Sequence, residues 1–141
     1  MLNDGLKLTG KLSIAINDKV VQEVPNLVVT AGKGYVASRM KDTSATAMSH
    51  MAIGTGSTAA AAGNTALGSE SARTALTSTT VSSADIVYVD TFAAGTGTGA
   101  ITEAGIFNAS SGGTMLCRTV FSVVNKGAND AMTITWTVTV S

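Results

Sequence analysis

Met132-Thr-Ile-Thr-Trp-Thr-Val-Thr-Val140 alternates without a break, with Met132, Ile134, Trp136, Val138 and Val140 on one side and threonines on the other. A period of two places one set against a core and the other against water or a partner. The outward set is uncharged, all hydroxyl and methyl, where Lys and Glu would be ordinary on a solvated strand. Working back from this strand, Ile101 to Val140 reads as strand, Gly-rich turn, strand, polar turn and closing strand. Ile106, Phe107, Ile134, Trp136 and Val138 are the expected core of this unit.

The same period appears at the other end of the chain. Leu6, Leu8, Leu12, Ile14 and Ile16 are spaced by two, with Gly10 in the one place where an apolar residue is missing. That gap predicts a bulge or a close approach at the glycine. Asn17-Asp18 supplies a tight turn, because both side chains tolerate left-handed backbone, and Val20 to Val24 returns as the partner strand. Pro25, the only proline, ends that pairing, and Asn26 to Val29 resumes an extended run.

Thr30 to Asp42 is the best helix candidate, capped by Thr30, with Val36, Arg39 and Met40 on one side and Tyr35 adjacent. Its two glycines argue for a short helix of about two turns. Met48 to Gly54 reads as a strand entering the core at Ala52 or Ile53. Gly54 to Ser71 has no period of two and is expected to be a long loop, with one helical turn at Ala59 to Ala62. A loop of this length is either a mobile surface segment or an arm that orders on assembly. Ser71 to Thr80 and Asp85 to Phe92 are two further strands, Ile86 to Val89 being rich in the β-branched and aromatic residues of a central strand. Gly95 to Gly99 is a loop. About eight or nine strands with short turns and one helix predict an all-β fold, an antiparallel sandwich or jelly roll, spanning residues 1–141 as a single domain.

Composition narrows the function. The chain has 141 residues, with nine basic residues balancing nine acidic ones and only 13% charged, against roughly 25% in an average soluble domain. No net field exists to gather nucleic acid or anionic lipid, so neither is an expected partner. A surface so poor in charge suits a chain occupied in an assembly. The N-terminus, Met1-Leu-Asn-Asp-Gly, lacks the basic and apolar regions of a signal peptide. No stretch approaches the roughly twenty apolar residues of a membrane span. The expected setting is a cytosol-like compartment until assembly.

The inventory of chemically active groups is thin. Cys117 is the only cysteine and His50 the only histidine, which excludes an intramolecular disulfide and a metal centre built from several histidines or cysteines. Cys117 lies in an apolar pattern and is expected to be buried; His50 is expected to be half-buried on its strand. A Ser-His-Asp arrangement would need His50 as base, and no Gly-x-Ser-x-Gly elbow supplies a nucleophile. Gly54-Thr-Gly-Ser and Gly95-Thr-Gly-Thr-Gly99 do not continue into a phosphate-binding motif, so their glycines are turn formers. Asp85, Asp90 and Glu103 are too scattered to specify a carboxylate pair, and Asn129-Asp130 lacks the ligand series of a calcium loop. The chain is expected to be no enzyme and to carry no cofactor or metal.

Two stretches resemble a known module. Ile101-Thr-Glu-Ala-Gly-Ile-Phe-Asn-Ala-Ser-Ser-Gly-Gly-Thr-Met-Leu-Cys-Arg-Thr-Val-Phe, followed by Met132-Thr-Ile-Thr-Trp-Thr-Val, resembles a C-terminal module of tailed-bacteriophage structural proteins. His50-Met-Ala-Ile-Gly-Thr-Gly56, with Ala66-Leu-Gly-Ser-Glu70 behind it, resembles the upstream half. Together they span roughly residues 26–140. A stand-alone chain of this length is most similar to the small jelly-roll capsid cement (decoration) proteins of the Bordetella-phage type. The resemblance implies a virion protein that binds the outside of the head as a homodimer or other homo-oligomer. It would clamp neighbouring copies of the major capsid protein. Related sequence occurs in tail-fibre and baseplate components, which is the alternative reading; a carbohydrate-binding sandwich is disfavoured by the scarcity of aromatics. The first strand and the 54–71 loop are the expected contact elements, with Leu6, Leu8, Leu12, Ser57 and Leu67 as candidate interface residues.

Overall fold

The computed structural model describes residues 5–41 and 46–141. Ten strands and one helix follow in the order β1 Leu8–Ile16, β2 Lys19–Pro25, β3 Leu27–Val28, α1 Thr30–Lys41, β4 His50–Gly54, β5 Glu70–Ala75, β6 Ser78–Ser82, β7 Asp85–Phe92, β8 Gly99–Phe107, β9 Met115–Lys126 and β10 Met132–Val140. They form two five-stranded sheets with the orders β2-β1-β10-β7-β6 (sheet A) and β3-β9-β8-β4-β5 (sheet B). Every pairing is antiparallel, and the two sheets pack face to face as an all-β sandwich.

The alternation in β10 sets this arrangement. Met132, Ile134, Trp136 and Val138 are buried between the sheets, and β10 is the middle strand of sheet A, flanked by β1 and β7. Leu12 pairs with Trp136, and Ile14 with Ile134, so the apolar sets of the first and last strands share one face. Sheet B answers from the opposite side with Met51, Ile53, Ile101, Ile106 and Cys117. At roughly 25 cal/mol per Å² of apolar surface removed from water, such side chains are each worth about 1.5–3 kcal/mol.

Turn chemistry fixes the corners. Asn17 and Asp18 take φ of 48° and 69°, the left-handed pair that a two-residue hairpin between β1 and β2 demands. Gly10 is a close approach: a Cβ there would collide with the Asn26 amide. The bulge in β1 lies elsewhere, between Ile14 and Ala15 against β2. Pro25 ends β2, and the chain crosses to sheet B, where Leu27 pairs with Arg118 and Val28 with Cys117.

Three expectations change. The helix has twelve residues instead of two turns, and it starts one residue early, with Lys33 N–H bonded to the Val29 carbonyl and the Thr30 N–H to Ala62. Asp42, the last residue expected in it, lies outside the described residues. Ser71 to Thr80 is not one strand: the Leu76 N–H donates to Ser49 O in sheet B and the neighbouring Thr77 N–H to Val89 O in sheet A, so the chain changes sheets there. The helical turn expected at Ala59 to Ala62 is instead a turn closed by Asn64, whose N–H reaches Ala61 O while its side chain accepts from Ala61 N–H.

Candidate functional site

The two outer faces of the sandwich differ. Residues paired across neighbouring strands point to the same side, so the register lays out the outer face of sheet A row by row. One row runs Thr9, Thr139, Asp85, Ser82; the next Pro25, Lys11, Thr137, Val87, Thr80; the next Glu23, Ser13, Thr135, Val89, Ser78. The threonines of β10 are thus the centre of a wider surface of hydroxyls and branched methyls. Asp85 accepts a hydrogen bond from Thr139 at 2.7 Å, and Thr91 and Thr133 hydroxyls meet at 2.9 Å. No loop of the described residues is hydrogen-bonded over its middle.

The outer face of sheet B is covered by the 55–69 loop that joins β4 to β5. Beneath it lie Glu103 on β8 and Arg118 on β9, 0% and 2% exposed. Their register places Glu103 opposite Val120 and Arg118 opposite Gly105, diagonal neighbours on one hairpin. Arg118 Nε and Nη2 donate to Glu103 Oε1 at 3.1 and 3.0 Å. The loop supplies the rest of the shell. Backbone N–H groups of Gly56, Gly68 and Ser69 donate to the carboxylate at 2.7–2.8 Å, while Arg118 donates to Asn64 Oδ1 at 2.9 Å and Thr58 O at 3.0 Å.

Burial alone would push the Glu103 pKa up, but these N–H donors and Arg118 outweigh it and hold the carboxyl below its usual range. Gly56 is required here, since a Cβ would strike the carboxylate. The glycine loop that superficially suggests a phosphate cradle does converge N–H groups on an anion, and the anion is the chain's own Glu103. Leu67 tucks into a small cluster with Val29, Ala52, Phe107 and Met115 on the same side. Arg73 stacks 3.7 Å from the Phe107 ring centre and ties down the 108–114 turn through Ala109 O and Gly112 O.

The candidate residues are distributed as follows. Ile106, Ile134, Trp136 and Val138 are buried in the main core, and Phe107, next to Ile106 in sequence, is buried in the second cluster under the loop. Of the expected contact residues, Leu12 and Leu67 must be withdrawn. Leu12 is 1% exposed because β1 turns its even-numbered residues inward, and Leu67 is the loop's anchor. Leu8 is half-buried, while Leu6 and Ser57 are exposed. On β1 the outward residues are Thr9, Lys11 and Ser13, not the leucines.

The remaining titratable groups serve the fold. His50 is half-buried with its Nδ1 2.7 Å from Ser49 Oγ. Asp90 points inward, 1% exposed, where Thr74 of β5 donates at 2.6 Å and Thr77 lies at 3.5 Å. It clamps the crossover between sheets. Burial raises its pKa from 3.8 to about 6 despite those hydroxyls. Asp130 closes the β9–β10 turn, accepting from Gly127 N–H and the Asn17 amide. Lys126 is buried with its ammonium on Ala93 O and Asp130 O, and burial lowers its pKa. Burial pushes the Cys117 thiol up, away from its reactive form.

Among the described residues no group of three or more His, Cys, Asp or Glu side chains gathers as a metal site would require. No described helix is long and apolar enough to cross a membrane. Sequence reasoning missed the Glu103–Arg118 pair. The available signal was one acid and one base, each inside an otherwise apolar run, on the two strands of one predicted hairpin. Comparison of the chain with family models, with curated proteins and with solved structures gives no match in any of the three.

Proposed function

We propose that the chain is a decoration (cement) protein of a tailed-phage capsid, which binds the outside of the head and clamps neighbouring major capsid subunits. The reading is non-enzymatic, with self-association as a homodimer part of it. One observation carries it: the outer face of sheet A is broad, uncovered and poor in charge, with Lys11, Glu23 and Asp85 the only charged residues in its three central rows. A clamp works by area and shape. Hydroxyl and methyl groups cost about 1–3 kcal/mol or less to desolvate when paired imperfectly, whereas a buried unpaired charge costs several. Rigidity supports the same reading, because the ordered loop and the packed sheets lose little freedom on docking.

The experiment is densitometry of purified particles. A cement protein is present in hundreds of copies on the head, whereas a tail-fibre or baseplate component is present in tens at the tail. Particles lacking the chain should release DNA at a lower temperature; an unchanged release temperature would remove the clamping role.

A further inference from the structure

An apolar groove runs between α1 and one end of sheet A. Two adjoining cavities of about 470 and 330 Å³ make it up, both lined by Leu8, Val36 and Val140. It extends from Leu6 and Met40 at one end to Thr79 and Val81 on β6 at the other. The groove exists because of how the helix is seated. Gly32 lies against the Leu116 carbonyl, with no space for a Cβ, and Gly32 is the only buried residue of α1. Tyr35 and Val36 are only half-buried against the end of the core.

Three of the six large hydrophobics exposed among the described residues belong to this groove: Leu6 at 68%, Met40 at 78% and Val81 at 70%. A contiguous exposed apolar patch of this kind marks an interaction site. Its rim carries two lysines. Lys7 and Lys33 line one cavity, with no Asp or Glu among the described lining residues of either, in a chain whose nine acids and nine bases balance overall.

We infer that this groove docks an acidic amphipathic segment of a partner protein, apolar side chains entering over Leu8, Val36 and Val140 while carboxylates meet Lys7 and Lys33. A second copy of the chain is the poorer occupant, because a two-fold contact would bring lysines against lysines. Nucleic acid is poorer still, since the floor offers apolar surface where phosphates need donors. The inference goes beyond the capsid reading and does not depend on it.

The test uses the full chain and a fluorescein-labelled amphipathic helical peptide of leucine, alanine and glutamate, with a lysine-for-glutamate counterpart. Anisotropy should show the acidic peptide binding and the basic one not. Lys33→Glu should weaken the acidic peptide by about tenfold, the loss of one charge contact near 1.4 kcal/mol. Met40→Ser, at an exposed site that leaves the fold intact, should weaken it severalfold, and Val123→Ser, equally apolar but on β9, should not. Failure of the acidic peptide to bind, equal binding of both peptides, or indifference to both groove substitutions overturns the inference. Tighter binding of anionic vesicles or an oligonucleotide than of the acidic peptide overturns the partner class. Head binding, scored separately by densitometry, keeps this outcome distinct from that of the capsid reading.

Discussion

Sheet A and sheet B present opposite outer faces. Sheet B is closed by its own chain: the 55–69 loop lies over a buried ion pair and contributes three backbone donors to it. Sheet A is open, a field of threonine, serine and valine with its free edge at β6, where all five residues are exposed. The lesson is about where polarity is placed. The charged pair is hidden where the molecule holds itself together, and the neutral surface is shown where contact with another molecule is cheap. The two faces should therefore respond to mutation in opposite ways.

The largest effect belongs to the covered face. Glu103→Gln leaves Arg118 buried without its counter-charge and should cost about 3–5 kcal/mol in chemical denaturation. The same variant should open residues 55–69 to proteases. A loss below about 1 kcal/mol would mean that the loop, and not the ion pair, holds the face closed.

The interior crossover gives the next effect, with a definite sign. The Asp90 pKa rises from 3.8 to about 6 on folding, so the folded protein holds that proton more tightly. Its contribution is fully present below about pH 4 and is lost as pH rises through 6, a change of up to about 3 kcal/mol. Glu103 runs the other way, its contribution lost only as pH falls through a value below the usual carboxylate range. Asp90→Asn should therefore stabilise the protein at pH 8 and do little at pH 4. Equal effects at both pH values would show that Asp90 is ionised at no cost.

The smallest effect on stability belongs to the open face. Thr135→Lys should shift the unfolding free energy by no more than about 0.5 kcal/mol. On the capsid reading, the same change should abolish attachment to heads, scored by co-sedimentation. Retained attachment would move the contact away from sheet A.

The two faces also differed in how well they could be read from sequence. Sheet A was legible because its information is local: the period of β10, the same period in β1, and Asn17-Asp18 at the corner. Sheet B's cover was not. Gly56, Gly68 and Ser69 become donors to Glu103 only after β4, β5 and β8 are paired, and nothing in the loop's own order specifies that. The sheet change at Leu76-Thr77 was missed for a related reason. No glycine or proline marks it, and the hydroxyls of Thr74 and Thr77 make sense only once Asp90 is known to lie between them. Leu12 and Leu67 lie on the two elements expected to make contacts, but each is buried in the chain's own fold.

The position of β10 carries a consequence for how the molecule is made. β10, the last in chain order of the described strands, lies in the middle of sheet A, with β1 on one side and β7 on the other. Until Val140 has been synthesised, β1–β2 and β6–β7 have no strand between them and the inner face of that sheet lacks Trp136. Pairing partners this far apart in sequence make folding slow and concerted. The chain cannot assemble sheet A in instalments during translation, so a truncation anywhere within Met132 to Val140 should cost the whole sandwich and not merely its final strand.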